Sequence, residues 1–420
     1  MRRPAWEQSL TLLLKLTPHD KNKAMYTFST GLAPLTGTAT RDIFKLLTRP
    51  EIISFAGGLP AGDCLPVDAI REITAGIFTD PAESIKCLQY GATEGYPGLR
   101  ELIIPLVEDL GITGIGIDNV LMVSGGGQGL DLLCKAFCNP GDVVLVEDPT
   151  FLGFLPTAQA YSARTIGIRP GAEGLDLEDL EEKLKEYRPK LVYCIPNFSN
   201  PTGKTYTAAN RAAIVELAEK YDTIVIEDDP YGRLRFAGES IPVIKSFDAA
   251  DRVAYVSSFS KTVSPGLRLG FVIAHKDIIR KLAIGKQGAD LHSSNLTQLI
   301  IRKYLEKGYF FPNVDKSLPV YRTRRNAMID ALDRYMPEEF VHTNPEGGLF
   351  IWGEFGAALD TAEVFKDAIA RNVAFIQGSV FFAANPPANT IRLNYSNEAP
   401  ERIEAGIRRL GEVFKEKIAH

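Results

Sequence analysis

The sequence lacks a long apolar run. Nowhere in its 420 residues does it approach the ~18 consecutive apolar positions of a membrane-spanning helix, so no membrane partner is expected. A basic excess is missing too: 47 Lys and Arg stand against 52 Asp and Glu, for a formal net charge of -5. Such a surface does not attract nucleic acid or an anionic bilayer as a whole, and any anion must be held by local groups. Cysteine is scarce, with five residues, Cys64, Cys87, Cys134, Cys138 and Cys194. Odd in number and without a C-x-x-C pair, they read as scattered thiols of a cytoplasmic protein, not as a disulfide framework or a zinc site. The five histidines are dispersed without metal-ligand spacing, and no metal is expected.

No export signal is expected either. Arg2 and Arg3 precede the short run Leu10 to Leu14, but Lys15 interrupts it and no small-residue cleavage site follows. Met25 offers a second start, which would leave the first stretch as an arm.

What remains is 45% hydrophobic and 24% charged, the composition of a soluble globular chain long enough for two domains. Short β-rich runs alternate with helical patterns through its middle: Leu121–Val123, Val143–Val146, Leu191–Ile195, Thr223–Ile226 and Val253–Val256, with helices at Leu175–Tyr187 and Asn210–Lys220. That alternation predicts an α/β domain with a mostly parallel mixed sheet flanked by helices. Each run is followed at once by polar or glycine-rich residues. Ligands of open α/β sheets bind beyond the carboxyl ends of the strands, so these segments should converge on one site.

After Pro319 the pattern changes to a basic helix (Arg322, Arg324, Arg325), a strand-like Gly348–Trp352, a helix from Thr361 and a strand at Thr390–Asn394. This predicts a second, smaller α+β domain. The organisation read from the sequence is an N-terminal arm over 1–35, an N-terminal part of the small domain over 36–62, a large domain over 63–319 and a C-terminal small domain over 320–420.

Four segments carry chemistry. Ser258-Phe259-Ser260-Lys261, followed by Arg268 and Gly270, places an amine, two hydroxyls and a guanidinium at a strand end. It can hold a carbonyl cofactor and a phosphate, although a lysine among serines is more often a solvated surface residue. Ser124-Gly125-Gly126-Gly127-Gln128-Gly129 opens a helix and reads equally as a flexible turn or as a phosphate cradle of backbone N–H groups at a helix N-terminus. Asn197-Phe198-Ser199-Asn200-Pro201-Thr202-Gly203 and Glu227-Asp228-Asp229-Pro230-Tyr231 both pass as turns by composition. Three adjacent acids repel one another in a low-dielectric cleft, so at least one should have a cationic partner, for which a pyridinium nitrogen is suitable.

Taken in order, these motifs resemble the fold-type I aminotransferases that depend on pyridoxal 5′-phosphate (PLP), and more narrowly the branch of kynurenine/2-aminoadipate, LysN-type and aromatic enzymes. The resemblance runs from about Ile53 to Ser396 and takes in Ile53 through Pro60, Gln89-Tyr90, Gly347 through Trp352 and Ile391-Arg392-Leu393. It implies that Lys261 holds PLP as a Schiff base and later moves the substrate's Cα proton. It implies that Asp228 pairs with the pyridinium nitrogen, that Asn200 and Tyr231 bond the phenolic oxygen, and that Phe151 stacks on the ring. Gly126, Gly127, Gln128, Ser258, Ser260 and Arg268 would hold the phosphate, joined by Tyr90 from the neighbouring subunit of a homodimer with shared sites. Arg392, with Asn200 and the backbone of Gly58, would bind the substrate α-carboxylate, a bidentate role that lysine fills poorly.

Arg41 has two readings. In these relatives an arginine in the region pairs with the far carboxylate of glutamate or 2-aminoadipate; by itself it is an exposed helix-start residue. The sequence departs from the relatives at the phosphate loop, where glycines replace Ser-Gln, at Phe151, where tyrosine is frequent, and at Gln377-Gly378, where Pro-Gly is common. The activity implied is transfer of an amino group from an L-amino acid (2-aminoadipate, aromatic or branched-chain) to a 2-oxo acid such as 2-oxoglutarate by a ping-pong route. A PLP lyase on the same fold is one alternative. A PLP-binding regulator is another, but the stretch before Ile53 contains neither a helix-turn-helix nor a concentrated basic surface.

Overall fold

The apolar runs become strands because they are rich in β-branched residues with no polar position to turn outward. In the computed structural model, which describes residues 26–35, 49–356 and 359–418, a two-residue strand β1 (Ile53–Ser54) precedes seven that form one sheet. These are β2 (Val120–Val123), β3 (Val143–Glu147), β4 (Arg164–Ile168), β5 (Leu191–Cys194), β6 (Ile224–Asp228), β7 (Val253–Ser258) and β8 (Gly270–Ile273). Their order is β2-β8-β7-β6-β5-β3-β4. β8 runs antiparallel to both neighbours and the other pairings are parallel.

Helices cover both faces. Along β3 the side chains divide between two apolar layers, Val144 and Val146 on one side and Val143 and Leu145 on the other. Each such buried side chain contributes about 1.5–3 kcal/mol against exposure. The expected helices form at Leu177–Tyr187, capped by Asp176, and at Ala208–Lys220, capped by Thr207. The helix Gly126–Phe137 has no side-chain cap at its start, which leaves its first N–H groups for another partner.

Five short strands follow: β9 (Val341–His342), β10 (Phe350–Glu354), β11 (Val373–Ala374), β12 (Ile376–Gln377) and β13 (Thr390–Asn394). The order β12-β13-β10-β9 makes an antiparallel sheet. β1 pairs in parallel with β11, which ties the segment at residue 53 to this C-terminal layer. The change of pattern at Pro319 falls inside one helix, Phe310–Tyr335, so the backbone runs unbroken through the expected junction. Among the described residues no helix is long and apolar enough to cross a membrane.

Candidate active site

The carboxyl ends of β5, β6 and β7 open onto a cavity of about 360 Å³ whose far wall comes from residues 56–59 and from β13. Just past β7, Phe259 is buried against Phe271 and Phe310 at 5.8 and 6.2 Å between ring centroids. Anchoring that ring fixes the turn and leaves Lys261 to face the cavity. Its Nζ donates to the carbonyl of Gly58 at 2.6 Å. Burial, then the positive charges of Arg392 and Arg268, bring its pKa down to about 8.

The three acids at the end of β6 have separate fates. Glu227 accepts from the backbone N–H groups of Ile244 and Lys245 at 2.7 and 2.8 Å, and burial pushes its carboxyl up to about 8. Asp229 accepts from Asn197 at 3.0 Å, from the N–H of Gly232 at 2.9 Å and from Tyr255 at 2.9 Å. Arg211, donating to Asn197 at 2.7 Å, brings positive charge within one residue of it. Asp228 lines the cavity and, among the described residues, its side chain accepts only from the Tyr193 hydroxyl, at 2.8 Å. Burial raises its pKa to about 7; the Tyr193 bond lowers it and neighbouring Asp229 raises it further. Among the described residues no cation acts on it, and a cation received by the cavity would be the partner that a buried carboxylate needs.

Arg392 reaches the cavity from β13. Its guanidinium lies between Phe350 and Phe381, 4.2 and 5.0 Å from their ring centroids. It donates to Asn200 Oδ1 at 2.8 Å and to the carbonyl of Ala56 at 2.6 Å, while its buried Nε has no partner. Burial lowers its pKa, and a bound carboxylate would restore the charge balance. Tyr231 stands edge-on to Phe350 at 5.7 Å. Burial pushes its phenol up, against the pull of Arg392.

Opposite, Gly126 and Gly127 bring the uncapped helix start to the cavity, with Ser258, Ser260, Arg268 and the ring of Phe151 on its wall. Gly125 is at φ +85, and a side chain there would collide with the Arg268 guanidinium.

One residue expected at this chain's own cavity, Gln128, is placed elsewhere, and Tyr90, expected at the neighbouring subunit's site, stands at the surface. Gln128 is off the cavity wall: its Oε1 accepts from the N–H of Ser124 at 2.8 Å and from Lys286 at 2.9 Å, and its Nε2 donates to Asp290 at 2.8 Å. Its Oε1 and one of its two Nε2 protons are committed behind the loop. Tyr90 is 78% exposed, with its ring edge-on to His292 at 5.9 Å and no part in the cavity wall of this single chain. Arg41 lies outside the described residues. Sequence reading missed Tyr193, the Ala56 carbonyl, Phe381 and the Lys286 cluster. Phe350 was inside a recognised segment, but without a role.

An amine kept largely unpaired, a buried carboxylate awaiting a cation and an anion cradle around one cavity fit PLP: an aldehyde, a ring nitrogen and a phosphate. The fold and this cavity define a PLP-dependent enzyme. The profile of the aminotransferase class I and II family matches residues 51–410, and the chain belongs to that family. Aromatic-amino-acid aminotransferase 1 of Thermococcus litoralis is 39% identical over 396 residues, covering 93% of this chain and 94% of the relative. The crystal structure of Pyrococcus horikoshii kynurenine aminotransferase in complex with PMP superposes with a TM-score of 0.88 at 39% identity, covering 93% of this chain and 97% of that one. LysN, the alpha-aminoadipate aminotransferase of Thermus thermophilus, complexed with N-(5′-phosphopyridoxyl)-L-leucine, gives 0.86 at 36% identity over 93% of this chain and 98% of its own. The chain is a PLP-dependent aminotransferase.

Proposed function

We propose that the enzyme takes its amino group from aromatic, branched-chain or 2-aminoadipate donors, passes it to a 2-oxo acid such as 2-oxoglutarate, and works by ping-pong exchange. The observation that carries the reading is the meeting of Lys261, Asp228 and Arg392 around one cavity. PLP supplies an electrophilic carbonyl and an electron-accepting ring. Lys261 would hold its carbonyl and would carry the proton at the substrate Cα. Asp228 keeps the ring nitrogen protonated. Asn200 and Tyr231 hydrogen-bond the phenolic oxygen, and Phe151 covers the ring face. The N–H groups of Gly126 and Gly127, with Ser258, Ser260 and Arg268, hold the phosphate. Arg392, Asn200 and the backbone of Gly58 take the α-carboxylate. In this reading residues 63–319 carry the cofactor and the C-terminal part closes over the substrate. Mixing the protein with PLP and kynurenine or leucine without acceptor should release 2-oxo acid equal to the cofactor present. Adding 2-oxoglutarate should then restore turnover and yield glutamate. Ammonia in place of glutamate would point to a lyase.

The cavity wall also carries the apolar residues Leu59, Leu152, Phe350 and Ile376, which suit an apolar side chain. Its cations, Lys261, Arg268 and Arg392, are all assigned, so a far carboxylate needs another partner, and Arg41 is our candidate. Arg41→Ala is expected to lower kcat/KM for glutamate and 2-aminoadipate by a few kcal/mol or less, roughly the value of one desolvated charge pair. Leucine and phenylalanine should be nearly unaffected. Equal losses for both groups would remove Arg41 from the pocket.

We also propose a homodimer in which Tyr90 completes the neighbour's phosphate site. The exposure of its ring, together with nearby exposed Ile85 and Leu88, supports a partner surface there. Hybrids of inactive Lys261→Ala and Tyr90→Ala chains should then recover activity, since one of their two sites is intact. Random mixing sets the yield at about a quarter of wild type for a two-fold dimer. Confirmed hybrids without recovery would show that the sites are not shared.

A further inference from the structure

The glycine-rich loop at the cavity has few side-chain donors of its own, and behind it lies a polar cluster built on a buried lysine, with the carboxylate of Asp290 partly open to solvent. Lys286, on the helix Lys276–Gln287, has no exposed surface. Its ammonium donates to both carboxylate oxygens of Asp290 at 2.7 and 2.8 Å, to Gln128 Oε1 at 2.9 Å and to Ser293 Oγ at 3.2 Å. Asp290 also accepts from Gln128 Nε2 at 2.8 Å and from Ser124 Oγ at 2.9 Å. Gln128 Oε1 in turn accepts from the N–H of Ser124 at 2.8 Å.

Ser124 is therefore gripped at its backbone and its hydroxyl by two groups whose orientation Lys286 fixes. Its carbonyl faces the Arg268 guanidinium at 3.4 Å, and the next residue, Gly125, packs so closely on that guanidinium that no side chain fits. A shift of Ser124 would move the N–H groups of Gly126 and Gly127 relative to Arg268. Burying an ammonium is costly unless every proton finds an acceptor, and an apolar residue would fill the same volume without that cost. Supporting the loop gives the charge a purpose beyond packing.

We propose that Lys286 is a positioning residue for the phosphate monoester of the cofactor: through Asp290 and Gln128 it holds Ser124 so that the loop N–H groups and Arg268 converge on one dianion. This rests on reading the loop as the phosphate cradle. Full-length protein is stripped of cofactor and titrated by absorbance with PLP and with pyridoxal, which has the same aldehyde but no phosphate. Lys286→Met is expected to weaken PLP binding by about tenfold or more, the worth of one or two charge-assisted hydrogen bonds, and to change pyridoxal binding by less than about twofold. Lys286→Met/Asp290→Leu, which removes the ion pair as a neutral whole and so guards against misfolding, should show the same phosphate-selective loss. Unchanged PLP binding in a folded variant, or equal weakening of PLP and pyridoxal, would overturn the proposal. Arg268→Ala tests the cradle separately: it should also lose PLP selectively. If Arg268→Ala spares PLP, the cradle reading falls and the proposal with it, whereas selective loss in Arg268→Ala without loss in Lys286→Met rejects the role of Lys286 alone.

Discussion

Replacing Lys261 by alanine is expected to lower transamination by about 10³-fold or more, near the upper range of what one positioned acid–base group contributes. The loss is large because, in the proposed mechanism, one side chain serves twice, as covalent anchor and as proton carrier. Its surroundings prepare both roles. The Nζ rests on a carbonyl at 2.6 Å and has no carboxylate partner among the described residues, and burial with two nearby guanidinium groups brings its pKa down to about 8. At pH 7 about one amine in ten is then neutral, against roughly one in three thousand for an ordinary lysine.

Capture of PLP by the cofactor-free wild type should accordingly rise about tenfold per pH unit below pH 8 and level off above it, since only the neutral amine adds to a carbonyl. Stopped-flow absorbance reads this directly. A rise continuing to pH 10 would mean that the site does not depress the lysine. Borohydride treatment followed by peptide mass spectrometry should find the pyridoxyl group on Lys261, and finding it on another lysine would defeat the assignment.

How much of this is legible in the sequence depends on what each residue answers to. The strands β2, β3, β5, β6 and β7 announce themselves because both of their faces are buried and their sequences are almost unbroken apolar runs. β4 is hidden: it begins with the exposed Arg164, and the residues before Ile168 are only half-buried, so its pattern is that of an edge. β8 is four residues long and follows directly on the Arg268 turn, where the motif draws attention to chemistry and not to a strand. The change of pattern after Pro319 marks where the C-terminal elements begin, and the helix Phe310–Tyr335 runs through that position.

Site residues divide in the same way. Lys261, Asp228, Asn200, Tyr231 and Arg392 sit at strand ends or in a strand inside recognisable motifs, and all line one cavity. Gln128 belongs to such a motif too, yet its partner Lys286 is 158 positions away. Nothing near Gln128 in the sequence says that its amide turns inward. Tyr193 is similar: within β5 it reads as one more apolar strand position. Only the pairing of β5 with β6, in register Tyr193 with Ile226 and Cys194 with Glu227, and the stacking of its ring on Phe154 at 3.8 Å put its hydroxyl on Asp228. Local chemistry is readable from spacing, but a hydrogen bond between distant segments becomes readable only once the sheet order is known.

The substrate end gives the second large effect. Arg392→Lys keeps the charge yet is expected to cost about 10²- to 10³-fold in kcat/KM for every amino acid and 2-oxo acid tested, or roughly 3–4 kcal/mol. The guanidinium is planar, and its carbon lies over the rings of Phe350 and Phe381 at 4.2 and 5.0 Å, contacts that an ammonium group would match poorly. Two of its nitrogens are already tied to Asn200 and the Ala56 carbonyl, which sets the plane in which an incoming carboxylate is met. A lysine would reach the same region as a point charge, without the paired donors that fix the carboxylate and so aim the Cα–H toward Lys261. The loss should therefore appear in kcat as well as in KM, because a tilted substrate presents its proton poorly. The visible spectrum of bound PLP should be unchanged, since Arg392 is assigned to the substrate and not to the cofactor. The ratio of activities among leucine, phenylalanine and 2-aminoadipate should also persist, because the carboxylate is common to all of them. A simple amine without a carboxylate, reacting slowly with wild type, should react equally slowly with the variant. Should the variant lose amine and amino-acid turnover in the same proportion, Arg392 would be supporting the cavity wall and the carboxylate would bind elsewhere.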